Sequence, residues 1–212
     1  MRKSEKLRRE LKTSILIYGD GETEKWYFQA YNRYLNNVYG GDLKIKITPE
    51  FLKRKKLKEI KEEIKNSLIS YDKIFWIVDF DKIIDDEKID SFKKIENELS
   101  RSNKVVIIKN NPCLEYWFYL HFKYIDRKNN CHNFVKELKE FLPDYDKSGR
   151  YFLKENNDIF TKLKHKYEFA IENSKQSTRN LTDDMLESKS FSEMFKFFET
   201  INELMGNNSY KK

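Results

Sequence analysis

The chain has 212 residues and a formal net charge of +7, from 42 Lys and Arg against 35 Asp and Glu. Aromatic residues make up 15% of the chain, which excludes intrinsic disorder for most of its length. With 6 Gly and 3 Pro it is also a poor fit to a turn-rich all-β protein. The excess of positive charge over so acidic a background is a weak indication of a polyanionic partner.

The two cysteines, Cys113 and Cys131, are too few for a disulfide framework, which favours a reducing compartment. Cys113 is expected to be a small packed residue with a single thiol. The basic start of the chain lacks the apolar segment of a signal peptide. No apolar run approaches the roughly 20 residues of a membrane span. We therefore expect a soluble, cytoplasmic protein that does not associate with a membrane.

Short apolar runs that alternate with helical patterns organise the first part of the chain. The runs predict strands at residues 14–18, 43–47, 73–78 and 104–108. The second is expected to be an exposed or edge strand that stops at Pro49. Apolar residues at helical spacing predict helices at residues 23–34, 57–68, 89–99 and 114–122. Thr23 is the expected N-cap of the first helix, and Pro112 suits the first position of the last.

Strands that alternate with helices predict an α/β fold with a mainly parallel sheet, here over residues 13–125. Residues 1–12 form a basic arm. After residue 125 only helical patterns recur, at residues 134–141, 159–171 and 191–204, and the polar residues 173–180 predict a loop. We expect residues 126–212 to form a helical extension packed on the α/β core.

Acidic residues follow two of the predicted strands. Asp20, Glu22 and Glu24 come after the first strand, and Asp79 and Asp81 come after the third. Ligands bind outside the carboxyl ends of strands in an open parallel sheet, so these acids are the candidate catalytic and metal-binding residues. Carboxylates so close together would repel one another unless a cation neutralises them. Oxygen ligands without a nearby His or Cys favour Mg²⁺ or Mn²⁺ over zinc.

Each acidic group also has a plain structural interpretation. Aspartates after a strand often cap the next helix, and glutamates in a first helical turn favour the positive end of its dipole. The presence of both groups at equivalent strand ends favours the metal interpretation.

A third segment, Asn110 to Phe122, follows the fourth predicted strand. Glu115 and His121 lie on an otherwise apolar helix, where a charge is costly unless it is paired. Glu115 could cap the helix or assist the metal site, whereas His121 is expected to be a partly buried, hydrogen-bonded side chain. Asn111 is a further candidate for a supporting role.

At these residues the chain resembles the RloB-like family of abortive phage-resistance proteins, which belong to the TOPRIM superfamily. The resemblance covers nearly the whole length. Its most specific part is an N-P-C-x-E-x-W-x-x-x-H-F segment, present here from Asn111 to Phe122. A D-x-D after a hydrophobic strand, Asp79 and Asp81, is its least specific part.

The resemblance implies a TOPRIM fold in which an acid after the first strand and the D-x-D bind Mg²⁺. The family's E-G turn is Asp20-Gly21 here, and the turn is one residue shorter before Thr23-Glu24. Because Asp is one methylene shorter than Glu, Glu22 or Glu24 is an alternative general acid or base. Family analogy also implies a separately encoded ATPase as a partner, and the chain itself has no P-loop sequence.

The favoured hypothesis is a metal-dependent endonuclease that cleaves DNA or RNA, with tRNA among the candidate substrates, in anti-phage defence. Basic residues outside the acidic centre would bind the flanking phosphates. These candidates are the N-terminal arm, Lys53, Arg54, Lys55, Lys56, Lys147 and Arg150. Whether the protein forms a homo-oligomer stays open.

Two alternatives belong to other functional classes. In a phosphatase of the haloacid dehalogenase type, Asp79 would be the nucleophile and Asp81 the general acid or base. That mechanism needs a small or β-branched residue two positions after the second Asp, which Ile83 loosely meets. In a non-catalytic nucleic-acid-binding or defence-partner module, the acids would serve only as turn residues.

Overall fold

A five-stranded sheet organises the protein in a computed structural model, which describes residues 12–52, 55–125, 127–152 and 159–206. The strands are β1 (Thr13–Gly19), β2 (Ile45–Phe51), β3 (Lys73–Asp79), β4 (Val105–Asn111) and β5 (Phe191–Ser192). Their order is β2-β1-β3-β4-β5, and all neighbours are parallel except the antiparallel β4 and β5. The predicted α/β fold with a mainly parallel sheet is therefore confirmed.

Helices cover both faces of this sheet. Within the described residues they are α1 (Glu22–Tyr39), α2 (Leu57–Ser67), α3 (Phe80–Asp85), α4 (Ile89–Leu99), α5 (Leu114–Leu120), α6 (Cys131–Leu138), α7 (Gly149–Phe152), α8 (Ile159–Leu163), α9 (Tyr167–Thr178) and α10 (Met194–Leu204). Successive side chains of a strand point to opposite faces, so the sheet separates two apolar cores. In β3, Phe75 and Ile77 enter the core with α1, α5 and α10, whereas Trp76 and Val78 enter the core with α2 and α4.

The ends of several elements differ from the predictions. Strand β2 lies at the edge of the sheet as expected, but it runs through Pro49 to Phe51. Pro49 fits because an edge strand leaves one row of backbone groups unpaired. Thr23 is not the N-cap of α1, which is Gly21, and Thr23 lies inside the helix. Helix α5 begins two residues after Pro112, at Leu114, with Cys113 as its N-cap.

The predicted loop at residues 173–180 is wrong, because most of it belongs to α9. Two of its buried polar side chains, those of Asn173 and Ser174, find backbone partners elsewhere in the chain. The Asn173 amide donates to the carbonyl of Leu120 (2.8 Å), and the Ser174 hydroxyl donates to the carbonyl of Ser192 (2.6 Å). Ser192 lies in β5, a two-residue strand that the sequence patterns do not indicate.

The two cysteines form a disulfide, so the prediction of a single packed thiol at Cys113 is wrong. Cys113 precedes α5 and Cys131 begins α6, and 18 positions separate them in the sequence. The bond joins the starts of two helices that also pack against each other. No helix among the described residues is long and apolar enough to cross a membrane.

Candidate metal centre

The two predicted acidic groups meet at one edge of the sheet. Strands β1 and β3 are parallel neighbours in the middle of the sheet, with Tyr18 opposite Trp76. The carboxyl ends of the two strands therefore lie side by side. Asp20 directly follows the last residue of β1, and Asp79 is the last residue of β3. The Asp20 carboxylate accepts a hydrogen bond from the backbone N–H of Asp79 (3.2 Å).

Helix α1 brings a third carboxylate, that of Glu24, to the same place. Glu24 is 2% exposed, and its Oε2 accepts a hydrogen bond from the backbone N–H of Gly21 (2.8 Å). Its other oxygen, Oε1, is buried and has no hydrogen-bond partner within the described part of the chain. A Cβ atom on Gly19 would lie 2.3 Å from the Glu24 Cβ, so this close approach requires glycine.

Asp79 lies between this group and the fourth strand. It is 5% exposed, and its Oδ1 accepts a hydrogen bond from the backbone N–H of Leu114 (3.2 Å) at the start of α5. Its Oδ2 lies 3.6 Å from the ammonium of Lys82. Asp81 follows in the first turn of α3 and is partly exposed.

Burial and mutual repulsion leave these carboxylates poorly stabilised as anions. Burial, and then the charge of Asp79, raises the pKa of Asp20 to about 7 and that of Asp81 to about 6. The same two causes, together with Glu115, raise the pKa of Glu24 to about 8. Burial alone would lower the pKa of Lys82, but the carboxylates around it hold that pKa above its usual value.

Glu115 lies next to this centre and is already paired. It is fully buried, and it accepts hydrogen bonds from the Tyr145 hydroxyl and from the Lys147 ammonium, both at 3.0 Å. Burial raises the pKa of Glu115, against the effect of Lys147. Lys147, a predicted phosphate ligand, thus forms an ion pair with a buried carboxylate, while its own side chain is 38% exposed. Cys131 lies within 3.3 Å of Glu115, which places the disulfide against this pair.

A basic cleft opens beside Asp20. The cavity measures about 410 Å³, and four lysines contribute to its wall: Lys55, Lys56, Lys82 and Lys88. The buried indole of Trp76 forms part of the same wall. Of the predicted phosphate-binding group, Lys55 and Lys56 therefore lie next to the carboxylates, whereas Lys53 and Arg54 fall outside the described residues.

Four other candidate residues do not join the carboxylates. Glu22 and Arg150 are exposed to solvent. The Asn111 amide donates to the carbonyls of Leu186 (2.8 Å) and Lys189 (2.7 Å), a contact that fixes the chain before β5. His121 is fully buried, whereas its structural interpretation predicted partial burial, and it lies at the far end of α5.

Lys82 and Gly19 are parts of the site that carry no distinctive sequence pattern. Lys82 directly follows the D-x-D, and the spacing of i to i+3 on α3 is what carries its side chain back to Asp79. Gly19 is the last residue of β1, just before Asp20, and a glycine at the end of a strand is common in sequences without such a site.

These residues suit a hard divalent cation. Glu24 offers a buried oxygen that no described residue bonds, and a nearby cation would lower the elevated pKa values of these carboxyl groups. Among the described residues, three ligand atoms come within 4.8 Å of one another only for Cys113, Glu115 and Cys131, whose sulfurs are bonded to each other. The four acids are more widely spaced, which suits Mg²⁺ because it keeps several of its waters and needs only one or two carboxylates.

Glu24 should make the metal-free protein less stable as the pH rises. Its pKa is about 8 in the folded protein against an ordinary value of 4.5, so the folded state holds this proton more tightly than the unfolded state does. The free energy of unfolding therefore falls as pH rises through the interval between these values. Glu24→Gln should flatten the dependence of the melting temperature on pH in EDTA, measured from about pH 5 to about pH 9.

Glu22→Gln provides the matched control, since Glu22 is exposed on the same helix. It should leave the wild-type pH dependence unchanged. An unchanged pH dependence in Glu24→Gln would contradict the assignment of this proton to Glu24.

Comparison with known proteins identifies the family. A family model described as RloB-like protein matches residues 15–201. No curated protein and no solved structure gives a significant match. The matched range runs from β1 to α10 and includes all the acids of the candidate metal centre. This chain therefore belongs to the RloB-like protein family.

Proposed function

We propose that this RloB-like protein is a nuclease that uses Mg²⁺ or Mn²⁺ to hydrolyse phosphodiester bonds of nucleic acid in anti-phage defence. The observation that carries the proposal is the convergence of Asp20, Glu24, Asp79 and Asp81 at one sheet edge, beside a cleft lined by lysines. A site with this composition can bring a polyanion to carboxylates, provided that a cation offsets their charge.

Asp20, Asp79 and Asp81 are the residues that would hold the cation, one or two of them directly and the others through its bound waters, with Glu24 beside them. When bound, such an ion neutralises the scissile phosphate and stabilises the leaving oxygen. Asp79 is fixed for this role because its Oδ1 is held by the backbone of α5 and its Oδ2 faces Lys82. Lys82 can in turn contribute positive charge to a phosphate at the mouth of the cleft.

Glu24 is better suited than Glu22 to transfer a proton. Its buried Oε1 has no other partner within the described residues, and its pKa of about 8 lies close to neutral pH. A group with such a pKa can hold a proton at Oε1 and exchange it under physiological conditions. Glu22, by contrast, is exposed to solvent.

The lysines of the cleft would hold the phosphates that flank the cleavage site. Lys55, Lys56 and Lys88 lie along the wall that begins at Asp20. Backbone contacts of this kind are independent of sequence, so they suit a general nucleic-acid substrate. Nucleic acid is thus the proposed partner, and a separately encoded ATPase is a second one that rests on family resemblance alone.

Cleavage by the purified full-length protein tests this function. Labelled plasmid, single-stranded DNA and total tRNA are incubated side by side with Mg²⁺, with Mn²⁺ and with EDTA. We expect at least one substrate to be cut with metal and none with EDTA. Absence of cleavage on every substrate would contradict the proposal, and hydrolysis of a chromogenic phosphate monoester alone would favour a phosphatase.

A further inference from the structure

A second cavity lies at the far end of α5 from the carboxylates. It measures about 760 Å³, within the usual size range of small-molecule sites. Helix α5 begins beside Asp79 and reaches His121 after seven residues, a rise of roughly 10 Å. The cavity is therefore separate from the candidate metal centre, and neither Asp79 nor Lys82 forms part of its wall.

Aromatic rings and cations share the wall of this cavity. The rings belong to Tyr34, Phe122, Phe160, Tyr167 and Phe169. Three successive basic residues, Lys164, His165 and Lys166, lie just before α9. Glu168 is the acidic side chain of the lining, so cationic groups outnumber carboxylates there.

The two lysines are held over aromatic rings rather than by carboxylates. The Lys164 ammonium lies 5.0 Å from the centre of the Tyr34 ring, and the Lys166 ammonium lies 4.8 Å from the centre of the Phe122 ring. Neither ammonium has an ion-pair partner in the part of the chain that the structure describes. Their charges are consequently available to an anion, while their stems remain positioned by the rings.

His121, one of the residues that line the cavity, has a buried polar atom without a partner among the described residues. The side chain is fully buried, and its Nδ1 lies 3.0 Å from the carbonyl oxygen of Trp117. Burial lowers the pKa of His121 to about 3, so the ring is neutral and Nδ1 must be the donor in this bond. Nε2 is then a hydrogen-bond acceptor, and it has no partner among the described residues.

A ligand that matches this wall needs three chemical properties. An anionic group would pair with Lys164 and Lys166, and a flat ring would pack among the aromatic side chains. A hydroxyl or amino group would donate to Nε2 of His121. A nucleotide combines these properties, because it joins a phosphate, a planar base and several hydroxyl or amino donors.

We propose that this cavity is a nucleotide-binding site distinct from the carboxylate centre. The phosphate lies between Lys164 and Lys166, the base lies against the aromatic wall, and Nε2 of His121 accepts a hydrogen bond from a sugar hydroxyl or a base amino group. The nucleotide is either free or one unit of a bound single strand. No metal and no bond cleavage are involved, so the site does not depend on the proposed nuclease function.

Binding to the full-length protein in EDTA provides the test, since EDTA silences the metal centre. Calorimetry is carried out with the four ribonucleoside monophosphates, with inorganic phosphate and with a short single-stranded oligonucleotide. At least one nucleotide or the oligonucleotide should bind more tightly than phosphate alone. Saturation by a mononucleotide identifies a free nucleotide as the source, and binding of the oligonucleotide only identifies a strand.

Variants connect the binding to this cavity. Lys164→Ala/Lys166→Ala and His121→Phe should each weaken binding by about tenfold or more, the effect of one lost charged or buried hydrogen bond. Lys136→Ala/Lys139→Ala, which removes two exposed charges in the last turn and at the C-cap of α6, should leave the affinity unchanged. If His121→Phe does not fold, the Lys164→Ala/Lys166→Ala variant still tests the proposal, because both lysines are exposed.

Nuclear magnetic resonance of His121 tests the proposed hydrogen bond directly. In the wild-type protein, the ¹⁵N resonance of His121 Nε2 should shift on nucleotide addition, because a bare acceptor nitrogen gains a donor. Absence of binding at millimolar nucleotide and oligonucleotide, or binding that the Lys164→Ala/Lys166→Ala variant retains in full, would overturn the proposal. Loss of cleavage in Asp79→Asn with binding retained would separate this site from the nuclease.

Discussion

Asp79→Asn should reduce metal-dependent cleavage by about 10³-fold or more, in line with the loss of one group that stabilises transition-state charge. The substitution keeps the size of the side chain and an oxygen that can accept the N–H of Leu114. It removes the negative charge that lies nearest to Asp20, Glu24 and Asp81. Cleavage rates of labelled substrate, measured over a range of Mn²⁺ concentrations, report the effect.

The folded state of Asp79→Asn should be at least as stable as wild type in EDTA, because the hydrogen bond is kept and the relief of repulsion among buried carboxylates exceeds the loss of an ion pair with the largely exposed Lys82. Loss of activity would then be a chemical effect and not a folding defect. Asp90→Asn is the matched control, since Asp90 is exposed in the first turn of α4. Equal cleavage by Asp79→Asn and Asp90→Asn would remove Asp79 from the metal centre.

Reduction of the Cys113–Cys131 disulfide should lower the free energy of unfolding by about 3 kcal/mol, the chain-entropy value for a closed loop of this size. The bond closes a loop between positions 18 residues apart and joins the starts of α5 and α6. Cys113 is 1% exposed whereas Cys131 is partly exposed, so a reductant should attack the Cys131 sulfur. Urea unfolding with and without dithiothreitol, followed by tryptophan fluorescence, measures the difference.

The variant Cys113→Ala/Cys131→Ala isolates the contribution of the bond. Its unfolding midpoint should match that of the reduced wild type and should not respond to dithiothreitol. Mass spectrometry after alkylation counts the thiols of each preparation. A wild-type midpoint that is the same with and without reductant, in a protein shown to carry the bond, would contradict the expected stabilisation.

The sheet and the position of the acids could be predicted from sequence because both depend on local patterns. The apolar run at residues 73–78 indicates a buried strand, and parallel strands place their carboxyl ends at one edge. Asp20 and Asp79 are then neighbours if their strands are adjacent, a condition that the sequence left open and that the pairing of β1 with β3 meets. The closeness of Glu24 additionally requires that Gly19 lack a side chain, and the sequence offers no measure of that distance.

Contacts between distant parts of the chain escaped prediction. Asn173 and Ser174 are polar, and only their partners in α5 and β5 explain why they lie buried in a helix. The disulfide and the Lys147–Glu115 pair likewise depend on the path of the chain after residue 125. A periodic pattern in the sequence cannot predict these contacts, because each one involves only a single pair of residues that are far apart in the chain.

Strand β5 has a consequence for any shortened form of this protein. It pairs with β4 along Asn110 and Asn111, so a fragment that ends near residue 125 would present β4 as an open edge. The same fragment would lose α6 and α9, which pack against a helix whose residues from Leu114 to Leu120 are all buried. Open edges and uncovered apolar helices both promote self-association. Expression of the isolated α/β portion should therefore yield aggregates, and a shortened form made for crystallisation needs to extend through α10.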